Sequence, residues 1–204
     1  MFFHLNLIKP REITNPRIYM YQISEKVVEI WETAVNNPDC QIIALTGAGI
    51  SAESGIPTFR REDGYWKIGL MNYTPMEMAT NEKFQDYPWK VWHWYLNKIY
   101  KHRNARPNDG HRALVKLEKL LDERFRLITQ NVDGLHLKVG NSPERVYEIH
   151  GNLDYIRVFE SNRPHLLPMP DFVVELDPNE PLPEEIKSKL RDETGNLMRP
   201  HVLW

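Results

Sequence analysis

An α/β fold built on a parallel sheet is what this chain of 204 residues predicts, from three observations. The apolar run Ile42-Ile43-Ala44-Leu45 reads as a buried strand and stands directly before a glycine-rich turn. Two more short strand-like runs, 125–129 and 146–149, each deliver a polar segment at their carboxyl ends. Helix-like stretches separate the first run from the second, the rhythm that yields parallel neighbours with a ligand cleft at the strand ends.

Composition supports a packed core. With 41% apolar residues the length suits one large domain, or one domain carrying a small insert. The net charge of −2 comes from 26 basic and 28 acidic residues that are interspersed, which argues against nucleic acid or an anionic membrane as partner. The start, Met1-Phe2-Phe3-His4-Leu5-Asn6-Leu7, lacks the basic region and apolar stretch of a leader, and no segment approaches about 18 apolar residues, so a cytoplasmic protein is expected. The single cysteine, Cys40, excludes an internal disulfide and a cysteine-built zinc cage.

Taken in order, Ile23, Val27, Ile30, Trp31 and Ala34 recur at helical spacing behind Ser24, a plausible N-cap, which predicts a helix over 24–36. Residues 75–84 and 88–101 follow the glycine turn as helices of an insert, the second carrying a stripe of Val91, Trp92, Tyr95 and Ile99. Asn108 and Asp109 can cap a third helix whose apolar face is Ala113, Leu114, Leu117, Leu120 and Leu121. Residues 152–198 hold six of the fifteen prolines and show little periodicity outside 184–191, which predicts a small irregular subdomain.

The chemistry concentrates in three segments. Gly47, Gly49 and Ala52 fit the spacing G-x-G-x-x-G/A, where bare backbone lets amides approach a diphosphate, with Ser51 and Arg60 adding a hydroxyl and a cation. A dehydrogenase unit is disfavoured, because its second strand should follow about 30 residues later, whereas the next run starts at Phe125. Gln130, Asn131 and Asp133 offer two amides and a carboxylate beyond the second strand, suited equally to turn chemistry and to a sugar or carboxamide ligand. His150 ends the third run and precedes Gly151, placing an imidazole at the functional edge. Tyr95 and Lys98, three apart on one helix, can converge on a ligand, although an exposed lysine beside a core tyrosine accounts for them as well.

In this order the segments 45–60, 129–136 and 148–152 resemble the sirtuins, NAD-dependent protein-lysine deacylases, and 199–204 is similar to the family's strand after its small domain. The resemblance implies a Rossmann-like parallel sheet from 20–151 plus 197–204, a helical insert at about 60–104, and a small subdomain at 152–196. It also implies that the family's last strands are absent from this chain. NAD would be held by Gly47, Ala48, Gly49, Ser51 and Ala52, by Pro57, Thr58, Phe59 and Arg60, and by Gln130, Asn131, Val132 and Asp133, with His150 as general base. His136 is structural in this reading, and His111 belongs to the start of the third helix.

Sirtuins that prefer acidic acyl groups carry a tyrosine and an arginine on the matching helix, with a small residue near the place of Ala79. Lys98 stands at the arginine position, which implies a modest preference for acidic acyl groups. Where the family places zinc cysteines this chain has Val158, Ser161, Lys189 or Arg191, and Thr194, so no zinc is expected. Packing by Phe159, Leu166, Leu167, Phe172 and Val174 is expected to replace it. The partner implied is an acylated protein or peptide. A hydrolase that only cleaves NAD and an inactive binding protein remain as alternatives.

Overall fold

The computed structural model describes residues 23–58, 75–161, 165–171, 176–177 and 180–204. The chain divides into the units Met1–Pro38 and Asp39–Trp204. In the first, helix α1 (Glu25–Asn36) starts after Ser24 in extended conformation, which makes no side-chain cap bond, and the Thr33 hydroxyl bonds back to the Glu29 carbonyl at 2.8 Å.

In the second unit β1 (Ile42–Thr46), β2 (Phe125–Thr129) and β3 (Val146–Glu148) form a parallel sheet in the order β1-β2-β3. Register pairs Thr46 with Thr129 and Thr129 with Glu148, so all three strands finish level. This alignment sets the three polar segments side by side. Contrary to the fully buried strand expected, β1 alternates, with Ile43 59% and Leu45 68% exposed. Successive side chains point to opposite faces, and an apolar run alone does not reveal whether both faces are covered.

The insert supplies α2 (Pro75–Met78), α3 (Asn81–Asp86) and α4 (Pro88–Asn104). All four residues of the predicted stripe on α4 are buried, and so are Trp94 and Leu96, which makes α4 the central helix of the core. Its Trp92 indole donates to the Met198 carbonyl at 2.8 Å. Helix α5 (Asp109–Leu121) is capped as predicted: Asn108 Oδ1 accepts from Gly110 N at 2.9 Å, and His111 Nδ1 closes a capping box with Asn108 N. Its face differs from expectation, because Ala113 and Leu120 are exposed while Glu118 is buried. The Glu118 carboxylate accepts from Asn141 Nδ2 at 2.6 Å and Ser142 N at 3.0 Å, tying α5 to the loop after α6 (Leu135–Val139).

The region predicted to be irregular contains a second, antiparallel sheet in the order β5-β4-β6, made of β4 (Gly151–Val158), β5 (Leu167–Pro168) and β6 (Met198–Val202), with α7 (Glu184–Lys189) beside it. A register shift between Asn152 and Ile156 interrupts the alternation along β4, which is why sequence pattern hides an eight-residue strand. Residues 197–204, grouped on sequence with the parallel sheet, supply β6, whose hydrogen bonds run to β4. Gly151 makes that pairing possible. It sits at φ +85°, and a Cβ there would lie 2.1 Å from the His201 carbonyl oxygen.

At the positions where zinc cysteines were expected to be missing, Asp192 organises the turn. Its Oδ1 accepts from Thr194 N, Thr194 Oγ1 and Asn196 N at 2.8 to 2.9 Å. Phe159 and Leu167 pack on the core as expected, with Phe159 4.9 Å from the Phe84 ring. Leu166 does not: it is 38% exposed, because the short β5 turns only Leu167 inward. Phe172 and Val174 lie outside the described residues. Among the described residues no helix is long and apolar enough to cross a membrane.

Candidate functional site

Beyond β1 the chain enters a 3-10 helix, Ala48–Ser54, that ends on Gly55 in left-handed conformation. The tight turn expected at Gly47 and Gly49 is not built from glycine-specific backbone. Gly47 is extended at φ −147°, and the left-handed position falls at Gly55 instead. What the two glycines contribute is bare surface: a Cβ would meet only Gln130 Oε1 at 3.8 Å from Gly47, and nothing within 4 Å from Gly49. Asn108, the cap of α5, also secures this turn, donating from Nδ2 to the Ile50 carbonyl at 2.7 Å and to Ser54 Oγ at 3.0 Å.

The β1 and β2 segments are locked together. Ser51, fully buried, donates from Oγ to Asp133 Oδ2 at 2.7 Å and accepts from Asn131 Nδ2 at 3.0 Å. Asp133 Oδ1 accepts from Leu135 N at 3.0 Å, so both carboxylate oxygens have partners within the chain. Gly134 takes φ +66°, and a Cβ there would meet Asp154 Oδ2 at 2.8 Å. Behind the segment, His136 is 2% exposed, with Nε2 3.0 Å from Thr46 Oγ1 and its ring 4.9 Å from that of His111. Burial, with the neighbouring His111, lowers its pKa to about 4, so it is a neutral, structural imidazole at pH 7.

His150 lies in the turn between β3 and β4, exposed, with Nδ1 3.1 Å from the Gln130 carbonyl oxygen. A carbonyl only accepts, so this contact places hydrogen on Nδ1, and in the neutral ring Nε2 then carries the lone pair. The His150 carbonyl accepts from Leu203 N at 2.9 Å, which anchors the end of the chain to the third segment.

These pieces line one cavity of about 440 Å³. One wall is Ala48, Ser51 and Pro57, and a second is Gln130, Asn131, Val132 and Asp133 with His150. A third comes from the insert, through Ala79, Tyr95, Lys98 and His102. Gly47, Gly49, Ala52 and Thr58 adjoin the first wall in sequence without lining the cavity, and Phe59 and Arg60 lie outside the described residues.

Tyr95 and Lys98 thus line the same cavity. Tyr95 is 3% exposed, accepts from the Trp204 indole at 2.8 Å, and has its pKa raised by burial. Lys98 is 7% exposed with Nζ 4.6 Å from the Trp94 ring centroid, and burial lowers its pKa to about 8.

Sequence reasoning missed Ile56, His102, Val202, Leu203 and Trp204, all on the cavity wall. His102 was within reach, since it stands four residues after Lys98 on the same helix. The other four are apolar and carry no local signal of function.

The Sir2 family matches residues 47–204. The NAD-dependent protein deacylase of Aquifex aeolicus (strain VF5) is 44% identical over 163 residues, which are 80% of this chain and 60% of that protein. NAD-dependent protein deacylase 1 of Archaeoglobus fulgidus is 43% identical over 164 residues, 80% of this chain and 59% of that protein. A solved structure of a Sir2 homologue mutant with ADP-ribose aligns with a TM-score of 0.68 at 37% identity, covering 89% of this chain and 64% of that one. A Sir2 homologue in complex with NAD aligns with a TM-score of 0.65 at 36% identity, covering 86% and 61%. The chain therefore spans less than two thirds of the length of these relatives, and across that span the segments that build the cavity are those of the Sir2 family, to which it belongs.

Proposed function

We propose that this protein removes acyl groups from protein lysines with consumption of NAD, releasing nicotinamide and O-acyl-ADP-ribose. The observation that carries the reading is the convergence of three sequence-distant segments and one insert helix on a single cavity of about 440 Å³, within the range of small-molecule sites. The donors suit NAD: bare backbone at Gly47 and Gly49, beside the cavity, for the diphosphate, and the Gln130 and Asn131 amides on its wall for ribose and carboxamide.

When bound, NAD supplies the electrophilic ribose carbon that the acyl oxygen attacks as nicotinamide leaves. The protein's part is positional. Asp133 holds Ser51, and Ser51 in turn orients Asn131 at the cavity wall. His150, with hydrogen on Nδ1, presents Nε2 to take a proton from a ribose hydroxyl. Val202, Leu203 and Trp204 form an apolar wall that limits water. Phe59 and Arg60 keep their expected places in the cofactor set, on sequence alone.

Lys98 gives the acyl end of the cavity an ammonium group, which supports a modest preference for acidic acyl groups. The reading includes no zinc. Elemental analysis of purified protein tests that part, and one zinc per chain would overturn it.

The central test is product analysis with NAD and an acetyl- or succinyl-peptide, comparing the parent with His150→Ala. We expect nicotinamide and O-acyl-ADP-ribose from the parent, and deacylation cut about 10²-fold or more in the variant with NAD binding retained. Nicotinamide release independent of peptide would identify a simple NAD hydrolase instead, and failure to bind NAD an inactive binding protein.

A further inference from the structure

The antiparallel sheet carries a cationic cluster with no acidic partner among the described residues. Arg157 on β4 and Arg199 on β6 are directly paired in register, and His201 follows two residues later on the same face of β6. Like charges set opposite each other across two strands destabilise the pairing. Among the described residues neither guanidinium is paired with a carboxylate: Arg157 Nη2 donates to the Ser161 carbonyl at 2.7 Å, and Arg199 Nη1 to those of Val202 at 2.9 Å and Pro200 at 3.2 Å. The Nε atoms of both arginines are buried and lack a hydrogen-bond partner. Burial and then both arginines push the His201 pKa down, and burial and then Arg157 push that of Arg199 down.

Two half-buried guanidiniums that no described carboxylate neutralises are a receptor for a planar anion that accepts two hydrogen bonds at once. The location indicates which anion. Arg199 stacks its guanidinium carbon 4.6 Å from the Trp204 ring centroid, and Trp204 is a wall of the cavity, bonded through its indole to Tyr95. An anion held here is therefore one side chain away from the space assigned to the acyl-lysine. A group on the same peptide can reach it, whereas the diphosphate is assigned to the bare turn at Gly47 and Gly49.

We propose that Arg157 and Arg199 form a carboxylate-binding site that selects protein substrates carrying an acidic side chain beside the modified lysine. The proposal rests on the acyl-lysine reading and adds to it a rule for the surrounding sequence.

The test uses acyl-peptides in matched pairs, Glu against Gln at each of the two positions on either side of the acyl-lysine. Binding is read by fluorescence anisotropy and turnover by kcat/KM, for the parent and for Arg157→Gln. Arg157 is chosen because Arg199 also fastens the end of β6. At one position the Glu peptide should be favoured about tenfold, the scale of one charge-assisted contact. Arg157→Gln should bring that ratio to about one while the Gln peptide is bound and turned over as by the parent.

Equal binding of the Glu and Gln peptides at every position overturns the proposal, as does a ratio that Arg157→Gln leaves unchanged. An Arg157-dependent preference in binding without any turnover upholds the carboxylate site and refutes the deacylase reading. Turnover without such a preference does the reverse.

Discussion

Ser51 and Asp133 are 82 residues apart in sequence and share a fully buried hydrogen bond of 2.7 Å, which makes the first two functional segments one mechanical unit. A buried hydroxyl and carboxylate that satisfy each other hold geometry well and tolerate loss of one partner badly. Ser51→Ala is expected to cost about 1–2 kcal/mol and Asp133→Ala about 2–3 kcal/mol, the latter because it also strips Leu135 N of its acceptor. Urea denaturation of both variants and of the double variant checks this. The double variant should lose less than the sum, and strict additivity would contradict the shared bond.

Gly151 and Gly195 make a controlled pair, since both have left-handed backbone, at φ +85° and +86°. An added Cβ meets the His201 carbonyl oxygen at 2.1 Å from Gly151 and nothing within 4 Å from Gly195. Gly195→Ala should therefore cost about 1 kcal/mol of backbone strain. Gly151→Ala should cost more than about 3 kcal/mol, or prevent folding, because it also parts β4 from β6. Thermal midpoints decide it, and equal losses would show that the close approach is relieved at little cost.

His136 ties stability to acid. Its pKa falls from 6.5 to about 4 on folding, so the unfolded chain binds the extra proton more readily between those values. The stabilisation is fully present above about pH 6.5 and is lost as pH falls through about 4, on the order of 3 kcal/mol in all. His111, whose pKa burial also lowers, acts in the same direction. Unfolding free energies measured across this window should decline with falling pH. A flat profile would mean that the ring protonates in place.

Lys98 predicts a pH-dependent choice of acyl group. Its pKa is lowered to about 8, so the ammonium is present below that value and neutral amine replaces it above. The ratio of kcat/KM for succinyl- over acetyl-peptide should exceed one near pH 7, fall as pH rises through about 8, and be insensitive to pH in Lys98→Met. A ratio that the substitution leaves unchanged would assign acyl selection to other wall residues.

Reading the chain alone located the elements whose causes are local. The Asn108 cap, the stripe of α4 and the three segments at the strand ends were legible because capping, helical periodicity and the punctuation of strands act over a few residues. The motifs also sufficed for the family, since 47–204 carries them in order. Tertiary structure decided what depends on partners far along the chain. Ile43 and Leu45 are exposed, which an apolar run does not reveal. The strand β4 escaped notice because a bulge breaks its alternation, and only pairing with β6 gives it a register. The Ser51–Asp133 bond, the Trp204 indole on Tyr95 and the Arg157–Arg199 pair join residues up to 109 positions apart. Such contacts are fixed by packing of the whole core, and no local propensity encodes them.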